Sequence, residues 1–193
     1  LQNPDLVVLP GGFSYGDYLR CGALARFSPI VEEVMAFAKK GGLILGICNG
    51  FQILTECGLL PGTLLRNIGL DFICQHQYIR VEDNNTAFTH QIPEGTVMDI
   101  PIAHKEGNYF CSDEILKELQ DNHQIVFRYC DKQGNINAEY NPNGSRENIA
   151  GICNRTRNIL GMMPHPERAA TPYVTSNDGG KIFAALEEYF NLN

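Results

Sequence analysis

Gly46-Ile-Cys-Asn-Gly-Phe-Gln52 is the stretch on which the reading of this chain turns. Just before it, Gly41-Gly-Leu-Ile-Leu45 is an apolar run opened by glycines, the pattern of a short buried strand. Just after it, residues 49–56 carry a helical pattern that Gly58 stops. Cys48 thus falls at a predicted strand-to-helix corner, in a nucleophile-elbow arrangement with sulfur in place of the serine oxygen. So tight a turn strains the nucleophile's backbone, and flanking glycines remove side chains that would clash there. The sulfur is aimed at a helix N-terminus, whose free N–H groups and positive dipole end favour thiolate. On this motif alone, a buried structural cysteine beside a glycine turn is the competing reading.

Upstream, residues 5–9 form a fully apolar run of the kind buried on both faces of a parallel sheet. It leads into Pro10-Gly-Gly-Phe-Ser-Tyr-Gly-Asp-Tyr-Leu-Arg20, where glycines can hold backbone N–H groups open towards a ligand. Ser28-Pro29 is an N-cap and first-turn proline pair. Ile30, Val34, Phe37 and Ala38 follow at helical spacing, and Gly41 ends the run. Strand, helix, strand, helix in this rhythm predicts an α/β architecture with ligands at the carboxyl ends of the strands. Gly12 and Cys48 both fall there.

Beyond Pro61-Gly62 the pattern changes. Residues 72–82, 97–103 and 125–130 read as strands, with a short helix over 113–120. These predict antiparallel or mixed pairs at one side of the domain. Asn141-Pro-Asn-Gly-Ser145 is a turn cluster, and residues 149–153 and 159–163 predict a hairpin. A last amphipathic helix spans 177–190. No internal repeat or linker is visible, so residues 1–193 read as a single domain.

The second strand of that hairpin delivers Met163-Pro-His-Pro-Glu-Arg168. In an extended segment, residues two apart point to one side, which would set Glu167 beside His165 and select its tautomer. Pro166 fixes its own φ and biases His165 towards extended geometry. A lone histidine is more often structural; the two prolines and the carboxylate at i+2 bring the functional reading level with that one.

Composition narrows the class. A formal charge of −7 without any run of Lys or Arg argues against nucleic acid as the main partner. No apolar stretch approaches a membrane span. The seven cysteines contain no Cys-x-x-Cys pair and read mostly as small apolar residues of a reducing compartment, so the expected location is cytoplasmic. No metal site is expected.

Cys48, His165 and Glu167 together form a candidate Cys-His-Glu triad for acyl transfer through a thioester. The backbone N–H groups of Asn49 and of the Gly12–Phe13 loop are candidate oxyanion donors.

At these residues the chain resembles the class I (triad) glutamine amidotransferases. Pro10 to Arg20, Met163 to Arg168, Ala103-His-Lys-Glu-Gly-Asn-Tyr109 and Asn141 to Ser145 resemble, within them, the glutaminase subunits of phosphoribosylformylglycinamidine synthases, over nearly the whole chain. The resemblance implies a flavodoxin-like three-layer fold with a mostly parallel (mixed) central sheet and helices on both faces. It also implies that Cys48 attacks the side-chain amide of L-glutamine and that Gly11, Gly12 and Gln52 bind the substrate. Ammonia would pass to a separate synthetase subunit, in company with a small bridging subunit. ATP and Mg would act in that synthetase on formylglycinamide ribonucleotide, in purine biosynthesis, with no cofactor bound by this chain. The segment from Tyr15 to Arg20 is the candidate docking surface. Family members carry a further strand and helix, roughly 30 residues, ahead of the segment matching Asp5; that unit is expected to be missing here.

Three other readings compete with this one. A glutaminase of the kind that feeds pyridoxal phosphate synthesis lacks the Phe13 to Arg20 stretch. A zinc deaminase could be read from His165-Pro-Glu167 but needs a Pro-Cys-x-x-Cys downstream, and no cysteine follows Cys153. A non-catalytic binding subunit would not need all three triad residues.

Overall fold

The computed structural model describes residues 1–14 and 20–192. The chain runs β1 (Leu6–Leu9), α1 (Pro29–Lys39), β2 (Leu43–Ile47), α2 (Asn49–Glu56), β3 (Thr63–Leu65), β4 (Ile73–Val81), β5 (Val97–His104) and β6 (Asn108–Phe110). It continues with α3 (Asp113–Asp121), β7 (Ile125–Tyr129), β8 (Ile149–Cys153), β9 (Ile159–Met162) and α4 (Gly180–Leu192).

Seven strands form one sheet in the order β1-β2-β9-β8-β7-β4-β5. The β1–β2 and β2–β9 pairings are parallel, and the four from β9 to β5 are antiparallel. The sheet is therefore mixed, with a parallel half beside α2 and a larger antiparallel half than "mostly parallel" conveys. The reason is local: the hairpin turn at 154–158 sends β9 back antiparallel to β8, while β9 also lies parallel to β2.

β2, β8 and β9 are buried along their whole length, so both faces of the sheet centre are covered. The core draws on Val34 of α1, Phe51 and Leu54 of α2, Leu119 of α3 and Ile182 of α4. β5 instead alternates buried and partly buried positions, with Met98, Ile100, Ile102 and His104 on its inner face.

Four details differ from the sequence reading. β2 begins at Leu43, because the N–H groups of Gly41 and Gly42 cap α1 by donating to the carbonyls of Ala38 and Phe37. Ser28 sits at the start of α1 in extended conformation, but its side chain makes no capping bond. α4 begins at Gly180, the residues just before it being bridged by loop hydrogen bonds such as Gly180 N–H to the Asn177 carbonyl. A second, two-stranded antiparallel sheet of β3 and β6 was not foreseen; three-residue strands carry too little pattern to be seen.

Candidate active site

The site is built from the C-terminal ends of two adjacent parallel strands. β2 ends at Ile47, which is in register with Met162, the last residue of β9. Cys48 follows at the N-cap of α2 with φ 51° and ψ −104°, a region that side chains other than glycine rarely enter. The corner is held by a hydrogen bond from the Cys48 N–H to the Met162 carbonyl, 2.8 Å. The glycines of the motif answer to packing as well: a Cβ at Gly50 would run into the carbonyl of Leu9, and one at Gly46 into Leu54. Only glycines let α2 approach the sheet this closely.

β9 runs on into His165, whose N–H donates to the Pro101 carbonyl at 2.8 Å and so ties the segment to β5. The ring is 1% exposed. Its Nδ1 lies 2.7 Å from Glu167 Oε1. An ionised carboxylate can only accept, so Nδ1 carries the hydrogen, and in the neutral ring Nε2 is the nitrogen with the lone pair. The pair meets by a route other than the extended geometry expected. Pro166 opens a 3-10 turn over Pro166–Ala169, and the carboxylate curls back to the ring inside it. Proline suits a first helical turn as well as an extended chain, and the turn prevailed. Burial pushes the Glu167 carboxyl up, but the His165 hydrogen bond and the charges of His165 and Arg168 outweigh it and hold it below the usual carboxylate range.

Gly11 brings in the third piece. A Cβ there would overlap the His165 ring and touch Cys48 Cβ at 3.5 Å, so the glycine loop lies directly against the other two. Together they border a cavity of about 240 Å³ lined by Gly11, Gly12, Phe13, Cys48, Gln52 and His165, among others. A larger depression, about 830 Å³, lies at the opposite end of β2, between the first residues, α1 and α4. Asn49 is the first residue of α2, where helix N–H groups lack intrahelical partners. The Cys48 thiol donates to the Ala103 carbonyl at 3.6 Å.

Gln52 is held at both ends of its amide. Nε2 donates to the Glu106 carbonyl at 2.6 Å, and Oε1 accepts from Asn49 Nδ2 at 2.8 Å. The Ser14 hydroxyl donates to Asn49 Oδ1, so one chain of bonds links the glycine loop, α2 and the turn after β5. In the sequence that turn, residues 104–107, stands out only through the family resemblance. Its His104 and Glu106 line the cavity and have buried side chains, as does Cys21, whose N–H donates to Glu106 Oε2 at 3.0 Å. The alternation of β5 was the available signal: it places a histidine on an otherwise apolar inner face. Arg168 also lines the cavity, with Nε 3.6 Å from Glu167 Oε1. Of the candidate docking surface, Tyr15 to Leu19 lie outside the described residues; Arg20 makes a two-pronged ion pair with Glu56 at the end of α2.

A model of the CobB/CobQ-like glutamine amidotransferase domain matches residues 1–190. The chain belongs to that family. This amidotransferase is 59% identical over 186 residues to the phosphoribosylformylglycinamidine synthase subunit PurQ of Koribacter versatilis, covering 96% of this chain and 80% of the relative. It is 52% identical to the subunit PurQ of Aquifex aeolicus, covering 96% and 82%. Among solved structures, PurLQS from Thermotoga maritima superposes with a TM-score of 0.86 at 43% identity, over 98% of this chain and 82% of that one. The glutaminase domain of Trypanosoma brucei CTPS, with acivicin bound, shares the fold at a TM-score of 0.59 and 12% identity, over 96% and 72%. The amidotransferase thus has the class I glutamine amidotransferase fold. None of its helices, among the described residues, is long and apolar enough to cross a membrane.

Proposed function

We propose that this amidotransferase is the glutaminase subunit of a phosphoribosylformylglycinamidine synthase, with Cys48 as nucleophile, His165 as general base and acid, and Glu167 as its orienting carboxylate. The observation that carries the reading is the convergence of the strained Cys48 corner, the Glu167-bound His165 ring and the Gly11 loop on one cavity. The names and coverage of the relatives support the assignment to this synthase.

In the proposed reaction, His165 Nε2 takes the thiol proton, and Sγ attacks the side-chain carbonyl carbon of L-glutamine. The oxyanion receives hydrogen bonds from the N–H groups of Asn49 and of Gly12 or Phe13, each worth roughly 3–4 kcal/mol in the transition state. His165 returns the proton to the departing nitrogen, the C–N bond breaks, and ammonia leaves a γ-glutamyl thioester. A water, deprotonated by the same Nε2, then attacks the thioester; glutamate departs and the thiol is reprotonated. Gly11, Gly12 and Gln52 bind the substrate, whose charged ends meet the buried carboxylate of Glu106 and the more exposed guanidinium of Arg168. Ammonia passes to a synthetase subunit that uses ATP and Mg to convert formylglycinamide ribonucleotide to its amidine, with a small subunit bridging the two. The cytoplasm is the proposed location, and residues 15–20 the proposed docking segment.

The test is labelling with 6-diazo-5-oxo-norleucine, read by intact mass and peptide mapping, with and without the synthetase partner and beside Cys48→Ala. One adduct on Cys48, formed faster with the partner, is the expected result. A folded protein that takes no adduct in either state would be a binding subunit instead.

A further inference from the structure

The turn 104–107 lines the cavity and accepts the Gln52 amide, yet side chains from elsewhere fix its shape. Asn67, fully buried in the loop after β3, engages three of its backbone groups. The Asn67 N–H donates to the Lys105 carbonyl at 2.8 Å, and its Nδ2 donates to the carbonyls of His104 and Asp71, both at 2.9 Å. Its Oδ1 accepts from the Gly107 N–H at 3.0 Å. From the other side, Asn143 Nδ2 donates to the Gly107 carbonyl at 2.8 Å.

These bonds fix which end of the Asn67 amide is oxygen, and with it the state of a second histidine. His104 Nδ1 lies 3.1 Å from Asn67 Oδ1. Since Oδ1 can only accept, His104 Nδ1 carries the hydrogen and Nε2 is the bare nitrogen. The ring is 3% exposed and packs against Gly107, where a Cβ would overlap it. Burial, and then the charge His165 would carry, lower its pKa to about 4, so the ring that makes this bond is neutral and its Nε2 carries no hydrogen.

We propose that His104 is a positioning residue for the substrate: through its Nδ1–H bond to Asn67 it locks the 104–107 turn in the shape that seats glutamine. The inference rests on the glutaminase reading and assigns the turn a role in binding, separate from the thiol chemistry. A side chain that only filled the core would be indifferent to which ring nitrogen a substitute reproduced. One that works through Nδ1 is not. Asparagine places its amide nitrogen near the Nδ1 position, and glutamine reaches towards Nε2.

The experiment compares His104→Asn and His104→Gln in the assembled synthase, measuring kcat and KM for glutamine, with iodoacetamide alkylation of Cys48 as a check on the thiol. The expected result is a KM within about threefold of the parent for H104N and raised at least tenfold for H104Q. In both, kcat and the alkylation rate stay within about threefold. Asn67→Ala should raise KM as H104Q does. Equal KM values in H104N and H104Q, a better H104Q than H104N, or a loss confined to kcat would overturn the proposal. A parent enzyme with no glutamine turnover would instead be a failure of the glutaminase reading, which separates the two.

Discussion

His165 Nδ1 and Glu167 Oε1 stand 2.7 Å apart across a 3-10 turn that a single proline opens between them. The turn makes the pair local, so its geometry needs no third element. Glu167→Gln replaces an obligate acceptor with an amide that can present either end, and the Nδ1–H tautomer is no longer enforced. Glutaminase kcat in the assembled complex should fall roughly 10- to 100-fold, less than for a deeply buried orienting acid because the Glu167 side chain is 43% exposed. An unchanged kcat would remove Glu167 from the proposed triad.

Cys48 holds φ 51° and ψ −104°, which glycine adopts without penalty. Cys48→Gly and Cys48→Ala both lack the thiol, so the difference between them isolates the backbone. Glycine should be the more stable by about 1 kcal/mol in urea denaturation, in spite of its larger unfolded-state entropy. Equal stabilities would mean that the corner carries no strain.

Gly50 and Gly11 should respond to alanine in opposite ways. At Gly50 the added methyl meets the backbone carbonyl of Leu9, which cannot step aside, so Gly50→Ala should cost about 3 kcal/mol or prevent soluble expression. At Gly11 it meets the His165 ring, which can swing away. Gly11→Ala should therefore keep a near-parent melting temperature and lose most glutaminase activity; thermal melts beside turnover assays check both.

His104 also sets a pH dependence. Its folded pKa, about 4, lies below the ordinary value of 6.5, so between the two the unfolded chain binds a proton that the folded protein refuses. Stability from this group is complete above pH 6.5 and is lost as pH falls towards 4, by roughly 3 kcal/mol in all. Urea titrations of parent and His104→Asn should diverge in slope across that window, the variant being flatter. Parallel slopes would show that His104 is not the group responsible.

Much of this architecture was legible because period and punctuation agree. The apolar runs before Pro10 and before Cys48 became β1 and β2, although β1 starts after Asp5 and lies at the sheet edge with Val8 exposed instead of being buried on both faces; the glycine-stopped segment at 49–56 became α2. The hairpin at 149–163 was visible from its turn and formed as β8 and β9. Nearness of the Gly12 loop and Cys48 followed from a rule about strand ends, which needs no contact to be known in advance; His165 was joined to them by its motif. The rest depended on interactions between distant segments. Asn67 reads as an ordinary loop asparagine until the 104–107 turn folds over it. The β3–β6 pairing joins two segments too short to carry a pattern. Pro166 was compatible with two conformations, and tertiary packing chose between them.

The placement of β9 has a consequence for how the protein is made. β9, the last strand among the described residues, is inserted between β2 and β8, in the middle of the sheet rather than at its margin. A growing chain therefore holds a sheet that is open between β2 and β8, with Cys48 present but His165 not yet synthesised, until β9 follows. Closure of the sheet centre and arrival of His165, the proposed base, are then one event. A product stalled before β9 has Cys48 but neither His165 nor Glu167, and on the proposed mechanism it releases no ammonia.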